Sequence, residues 1–81
     1  MYKNRTEDGK NNIAGKNIER LRKNLVKKTS QRKLAEMLQM SGLDLDKNAI
    51  QRMESGARFI TDIELQIIAK VLGVTCDDLL N

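Results

Sequence analysis

Eighty-one residues make one small domain, and a hydrophobic content of 40% lets it bury a core, though a modest one. No proline, five glycines and 32% charged residues point to a helix-rich globular chain with a net charge of +4. Two aromatics, Tyr2 and Phe59, are too few for an aromatic-cored β-sandwich or a base-stacking sheet. The lack of histidine and the single cysteine, Cys76, exclude disulfide scaffolds, Cys/His zinc sites and histidine-based catalysis within one chain. No apolar run approaches the roughly 18 residues of a membrane span, and the polar start lacks a signal-peptide apolar stretch. The expectation is a soluble, cytoplasmic, all-α domain that is not an enzyme and carries no cofactor, no metal and no evident small-molecule ligand.

The charge is unevenly spread. Residues 1–33 hold eleven Lys/Arg against three acids, a balance of +8, whereas residues 34–81 hold four against eight, a balance of −4. If folding gathers the basic half on one surface, that surface attracts a polyanion such as nucleic acid or an anionic membrane. Charge alone equally suits a solvated face that keeps the chain soluble.

Residues 1–11 are polar, without apolar periodicity, and read as a flexible arm; residues 12–81 read as the domain. A phosphate-loop echo from Gly9 to Gly15-Lys16 fails, because five residues separate the glycines and Asn17 stands where Ser or Thr belongs. A first helix is predicted from Asn12 onward, with Ala14, Ile18, Leu21 and Leu25 on one face. Ser30 is an N-cap for a second helix from Gln31, with Leu34, Met37 and Leu38 inward and Gly42 as its stop. Asp46 caps a third helix, Lys47 to about Ser55. There Ile50 and Met53 supply a narrow apolar face, and Asn48, Gln51, Arg52 and Ser55 align at i, i+3, i+4 and i+7 as a hydrogen-bonding stripe turned outward. Thr61 to Glu64 is a capping box with Ile60 and Leu65 at the staple positions, opening a fourth helix that Gly73 ends. Thr75 to Asp78 repeats the device for a short fifth helix. Met37, Met40 and Met53 read as core filling, and Cys76 as a packing residue rather than an activated thiol.

Five segments in order carry a resemblance. They are Gly15 to Arg22 (GKNIERLR), Ser30-Gln31 with Leu34-Ala35-Glu36, Ile50 to Gly56 (IQRMESG), Leu65 to Val74 (LQIIAKVLGV) and Asp77 to Leu80 (DDLL). Together they resemble the lambda-repressor and Cro-like helix-turn-helix family, also called the xenobiotic-response-element family, over residues 13–80. The resemblance implies a compact five-helix bundle of the phage-repressor type, with helices two and three as the helix-turn-helix and helix three in the major groove. By matching positions it implies base reading by Lys47, Asn48, Gln51 and Arg52. It also implies phosphate and base-edge contact by Gln31, and backbone contacts by Ser55 and Arg58. Arg and Lys donors suit guanine O6/N7, and Asn or Gln pairs bidentately with adenine. Glu54 matches the acid that pairs with the arginine corresponding to Arg22, a bridge between helices one and three.

The sequence departs from the family in two links. The turn from Gln39 to Lys47 is about five residues longer than usual, and the link carrying Lys27-Lys28-Thr29 about two longer, which predicts a lengthened first helix. The implied function is sequence-specific double-stranded DNA binding in transcriptional regulation, as a repressor of phage or mobile-element type. The alternatives are an antitoxin or protein-interaction module on the same helices, and a membrane-surface binder. The last is disfavoured because Ile18, Leu21 and Leu25 are needed in the core. A homodimer on DNA would have to use the bundle itself, around Leu79 and Leu80.

Overall fold

A computed structural model describes residues 5–81. Five helices follow in order: α1 (Gly15–Lys23), α2 (Gln31–Met40), α3 (Lys47–Ser55), α4 (Asp62–Leu72) and α5 (Cys76–Leu80). No strand occurs among the described residues.

The helix starts follow from local chemistry. The Ser30 and Asp46 side chains accept hydrogen bonds from the Lys33 and Ala49 N–H groups, and Thr61 and Thr75 each form a complete capping box with Glu64 and Asp78. Each cap satisfies donors that a helix leaves open and is worth about 1 kcal/mol. After α2 the chain reverses through Gly42, whose φ of +91° disfavours a side chain. The N–H groups of Gly42 and Leu43 donate back to the Gln39 and Leu38 carbonyls.

The core is a contiguous cluster in which Ile18, Leu34, Leu38, Ile50, Met53, Ile68 and Leu79 are fully buried. It lies where α1 and α2 meet α3, and α4 and α5 close the remaining side. Full burial of one such side chain stabilises the fold by about 1.5–3 kcal/mol. Asn17 ties α1 to α5 by donating its Nδ2 to the Leu79 carbonyl at 2.8 Å.

Several expectations are corrected. Helix α1 starts at Gly15, not Asn12, and is not lengthened by the longer link. It stops at Lys23 because residues 24–30 must return to the start of α2, and the Thr29 carbonyl there accepts from Arg22 Nη1 at 2.9 Å. Met40 is 89% exposed rather than core filling, since the last turn of α2 runs past the cluster. Leu45, from the long turn, is buried in the core instead, and the carbonyl of Leu45 accepts from Gln39 Nε2 at 2.9 Å. Leu79 is buried, which leaves Leu80 alone of that pair on the surface.

Part of the segment expected as a loose arm is held against the domain. Thr6 and Lys10 close a turn, and Asn11 N–H donates to the Gly56 carbonyl at 2.8 Å. Residues 1–4 of the expected arm lie outside the described residues.

Arg58 and Glu64 join the loop before α4 to its first turn. Arg58 Nη1 and Nη2 donate to Glu64 Oε1 and Oε2 at 2.9 and 2.8 Å, and Thr61 N–H donates to Oε1 at 2.9 Å. The Arg58 guanidinium, helped by Thr61 N–H, holds the Glu64 carboxyl below its ordinary value of 4.5 against the opposing effect of burial. A depressed folded-state value means the carboxylate's contribution is fully present above about pH 4.5 and lost as pH falls through the folded value. Denaturant melts from pH 6 down to pH 2 are therefore expected to show a steeper acid loss for the wild type than for Glu64→Gln. Parallel curves would refute the linkage.

Candidate nucleic-acid interface

The candidate interface comprises two helix starts and one helix face. In α3 the residues Ala49, Ile50, Met53 and Glu54 are buried, so its 3.6-residue period turns Lys47, Asn48, Gln51, Arg52 and Ser55 outward together. All five are exposed. Among the described residues, no side-chain hydrogen bond or ion pair within the fold occupies Lys47, Asn48, Gln51 or Arg52. Ser55 Oγ donates to the Arg52 carbonyl at 3.2 Å.

Beside this face lies a groove of about 470 Å³ lined by Arg22, Ser30, Gln31, Arg32 and Lys47. It joins the start of α2 to the start of α3. Backbone N–H groups in the first turn of α2, with Arg32 and Lys47, give it the chemistry of an anion site. Arg32 was not singled out from the sequence; the available signal was a cation in that first turn. Lys27 and Lys28 are exposed on the neighbouring loop.

The remaining expected residues are engaged inside the fold. Gln31 is half-buried and donates its Nε2 to Glu54 Oε1 at 2.9 Å. Arg58 is half-buried on Glu64 and also donates to the Phe59 carbonyl at 2.9 Å. The structure thus gathers Lys47, Asn48, Gln51, Arg52 and Ser55 on one face, sets Gln31 at its edge, and commits Arg58 to the loop before α4.

Behind the face stands the bridge expected between Arg22 and Glu54. Arg22 Nε donates to Glu54 Oε2 at 2.7 Å and Nη2 to Oε1 at 2.9 Å, with side-chain exposures of only 9% and 2%. The Glu54 hydrogen bonds raise the Arg22 guanidinium above its ordinary value, so it stays charged throughout. This bidentate pair fixes the back of α3 to α1, and through Gln31 to α2.

Among the described residues, no group of acidic or cysteine side chains is placed to hold a metal ion, and no helix is long and apolar enough to cross a membrane. Comparison with known proteins gave one family, helix-turn-helix, whose model matches residues 18–79 and so covers well over half of the chain. No curated protein and no solved structure matches. The matched span runs from the middle of α1 to the last turn of α5 and includes the whole outward face of α3. With the five-helix bundle and its exposed third helix, this shows that the chain belongs to the lambda-repressor and Cro-like helix-turn-helix family of DNA-binding transcriptional regulators.

Proposed function

We propose that this protein is a sequence-specific repressor of phage or mobile-element type that binds double-stranded DNA and occludes promoter sequence. The observation that carries the reading is the stripe of Lys47, Asn48, Gln51 and Arg52, exposed together on α3 with no side-chain partner among the described residues. Arg and Lys suit guanine, and Asn and Gln suit adenine, in a major groove wide enough for one helix. Ser55 lies at the end of the stripe, toward the phosphate backbone. The groove at Gln31, Arg32 and Lys47 receives a phosphate, while Lys27 and Lys28 add sequence-independent attraction. Gln31 and Arg58 contribute less than their positions imply, because Glu54 and Glu64 already hold them. A dimer on a palindromic site would use the bundle surface, with Leu80, 42% exposed, at its edge.

Selection from a random duplex library tests this directly. A recovered motif supports the reading, and its symmetry and half-site spacing report the oligomer; recovery of no motif refutes sequence-specific binding. On the selected site, Arg52→Ala is expected to cost about 1–3 kcal/mol and to flatten discrimination at one base pair. Lys27→Ala is expected to weaken all sequences alike and lower the salt slope by about one. Equal losses of Arg52→Ala on selected and random duplexes would remove its base-reading role.

A further inference from the structure

The end of α3 is not held by its neighbouring residues alone. Two adjacent asparagines from the segment before α1 reach across more than forty residues of sequence to carbonyls at that end. Asn12 Nδ2 donates to the Met53 carbonyl at 3.1 Å and to the Arg58 carbonyl at 2.6 Å. Asn11 donates its backbone N–H to the Gly56 carbonyl at 2.8 Å and its Nδ2 to the Ala57 carbonyl at 3.0 Å. Met53 is in the last turn of α3, and Gly56 to Arg58 form the loop beyond it. The Lys10 stem lies across Gly56, so that a Cβ there would fall 2.8 Å from its Cγ and Cδ.

Asn12 also faces the other way: its Oδ1 accepts from Gly15 N–H at 2.8 Å, at the first residue of α1. One amide thus connects the start of α1 to the end of α3 with its acceptor and donor sides split between them. Among the described residues no hydrogen-bond partner meets the buried Asn11 Oδ1, a cost set against the two bonds that its N–H and Nδ2 make to the loop.

We propose that Asn12, with Asn11 beside it, is a positioning residue for DNA reading, a clasp that fixes the tilt of α3 and the course of the Gly56–Phe59 loop relative to the bundle. A reading helix contributes specificity only when its side chains are held in register with the base edges, since each bidentate pair has strict geometry. The Arg22–Glu54 pair holds α3 from the side facing α1 and α2, whereas the clasp holds its end, where Ser55 leads into the loop. This inference rests on the DNA-reading role proposed above.

The split amide supplies the test. Asn12→Asp keeps the acceptor for Gly15 N–H but replaces the donor with a carboxylate facing two carbonyls, whereas Asn12→Ala loses both. A residue that only caps α1 would tolerate Asp better than Ala; a clasp on α3 predicts that Asp is at least as damaging. Two readouts are taken well below the melting temperature, where each variant is fully folded. Amide hydrogen exchange in the free protein is expected to speed up at least tenfold at Gly56–Phe59 in Asn12→Asp, with α4 and α5 unchanged. Binding to the selected duplex is expected to weaken at least tenfold, and binding to random duplex by less than twofold. Unchanged exchange at Gly56–Phe59 overturns the proposal whatever the DNA result, and so do equal losses on selected and random duplex. If the wild type prefers no sequence, the DNA-reading role fails on its own terms and takes with it the claim of positioning for reading, whatever the exchange shows.

Discussion

Replacing Arg22 with methionine is expected to cost about 3–5 kcal/mol, the usual loss when one partner of a buried ion pair is removed. Glu54 is 2% exposed in its side chain, and with Arg22 gone it keeps, among the described residues, Gln31 Nε2 as its only side-chain donor. The Thr29 carbonyl loses its Arg22 donor as well, so the link into α2 loosens at the same time. A domain of this size is stable by about 5–15 kcal/mol, so the substitution approaches unfolding on its own. Glu54→Gln is milder, because an amide can still accept from Arg22 and is uncharged. A double-mutant cycle over Arg22→Met and Glu54→Gln, read by urea denaturation, is expected to give a coupling energy of about 1–2 kcal/mol. That exceeds the 0.2–1 kcal/mol typical of exposed pairs. A coupling near zero would mean that the pair does not hold α1 to α3. The exposed pair Lys23–Glu19, at 3.5 Å on α1, serves as the contrast and is expected to give almost nothing.

Gly15→Ala tests the same seam from the backbone side. By helix propensity alone the change stabilises, since alanine exceeds glycine by about 1 kcal/mol in a helix interior and by less at a first residue such as Gly15. The packing says the opposite. A Cβ at Gly15 would sit 2.0 Å from the Met53 carbonyl oxygen and 2.9 Å from Asn12 Oδ1, and a main-chain carbonyl cannot rotate aside as a side chain does. Relief requires α1 to withdraw from α3, which opens the contact around buried Ala14 and Ile18. We expect a net loss of about 2–3 kcal/mol, at the upper part of the range for overpacking. In a domain of this length that lowers Tm by roughly 10–20 °C. A raised Tm in a thermal melt would show that propensity outweighs the close approach.

What the sequence made legible is what is decided locally. Ser30, Asp46, Thr61 and Thr75 sit where their side chains can reach an N–H three residues ahead, and Gly42, Gly56 and Gly73 stand where the chain must turn. The α3 stripe was legible too, because its buried residues and outward residues alternate with the helical period. The Arg22–Glu54 bridge joins residues 32 apart and was reached through the family resemblance, not from any local pattern. The asparagine clasp was missed because a side-chain amide meeting distant carbonyls leaves no periodic trace; the one signal was an asparagine three residues ahead of Gly15. The commitment of Gln31 to Glu54 and Arg58 to Glu64 was hidden for the same reason. Leu45 reads from the sequence as part of the connection before the Asp46 cap, yet it folds back into the core.

The freedom of the α3 stripe has a consequence for how this protein can change. Lys47, Asn48, Gln51 and Arg52 are exposed, and the load of holding α3 falls on Ile50, Met53 and Glu54 behind them. Substitutions at exposed positions of this kind usually shift stability by no more than about 0.5 kcal/mol. Under the base-reading role proposed for these residues, sequence preference can drift by single substitutions across the stripe without passing through unfolded intermediates. Along one nine-residue helix the residues needed for folding are thus separate from those free to vary.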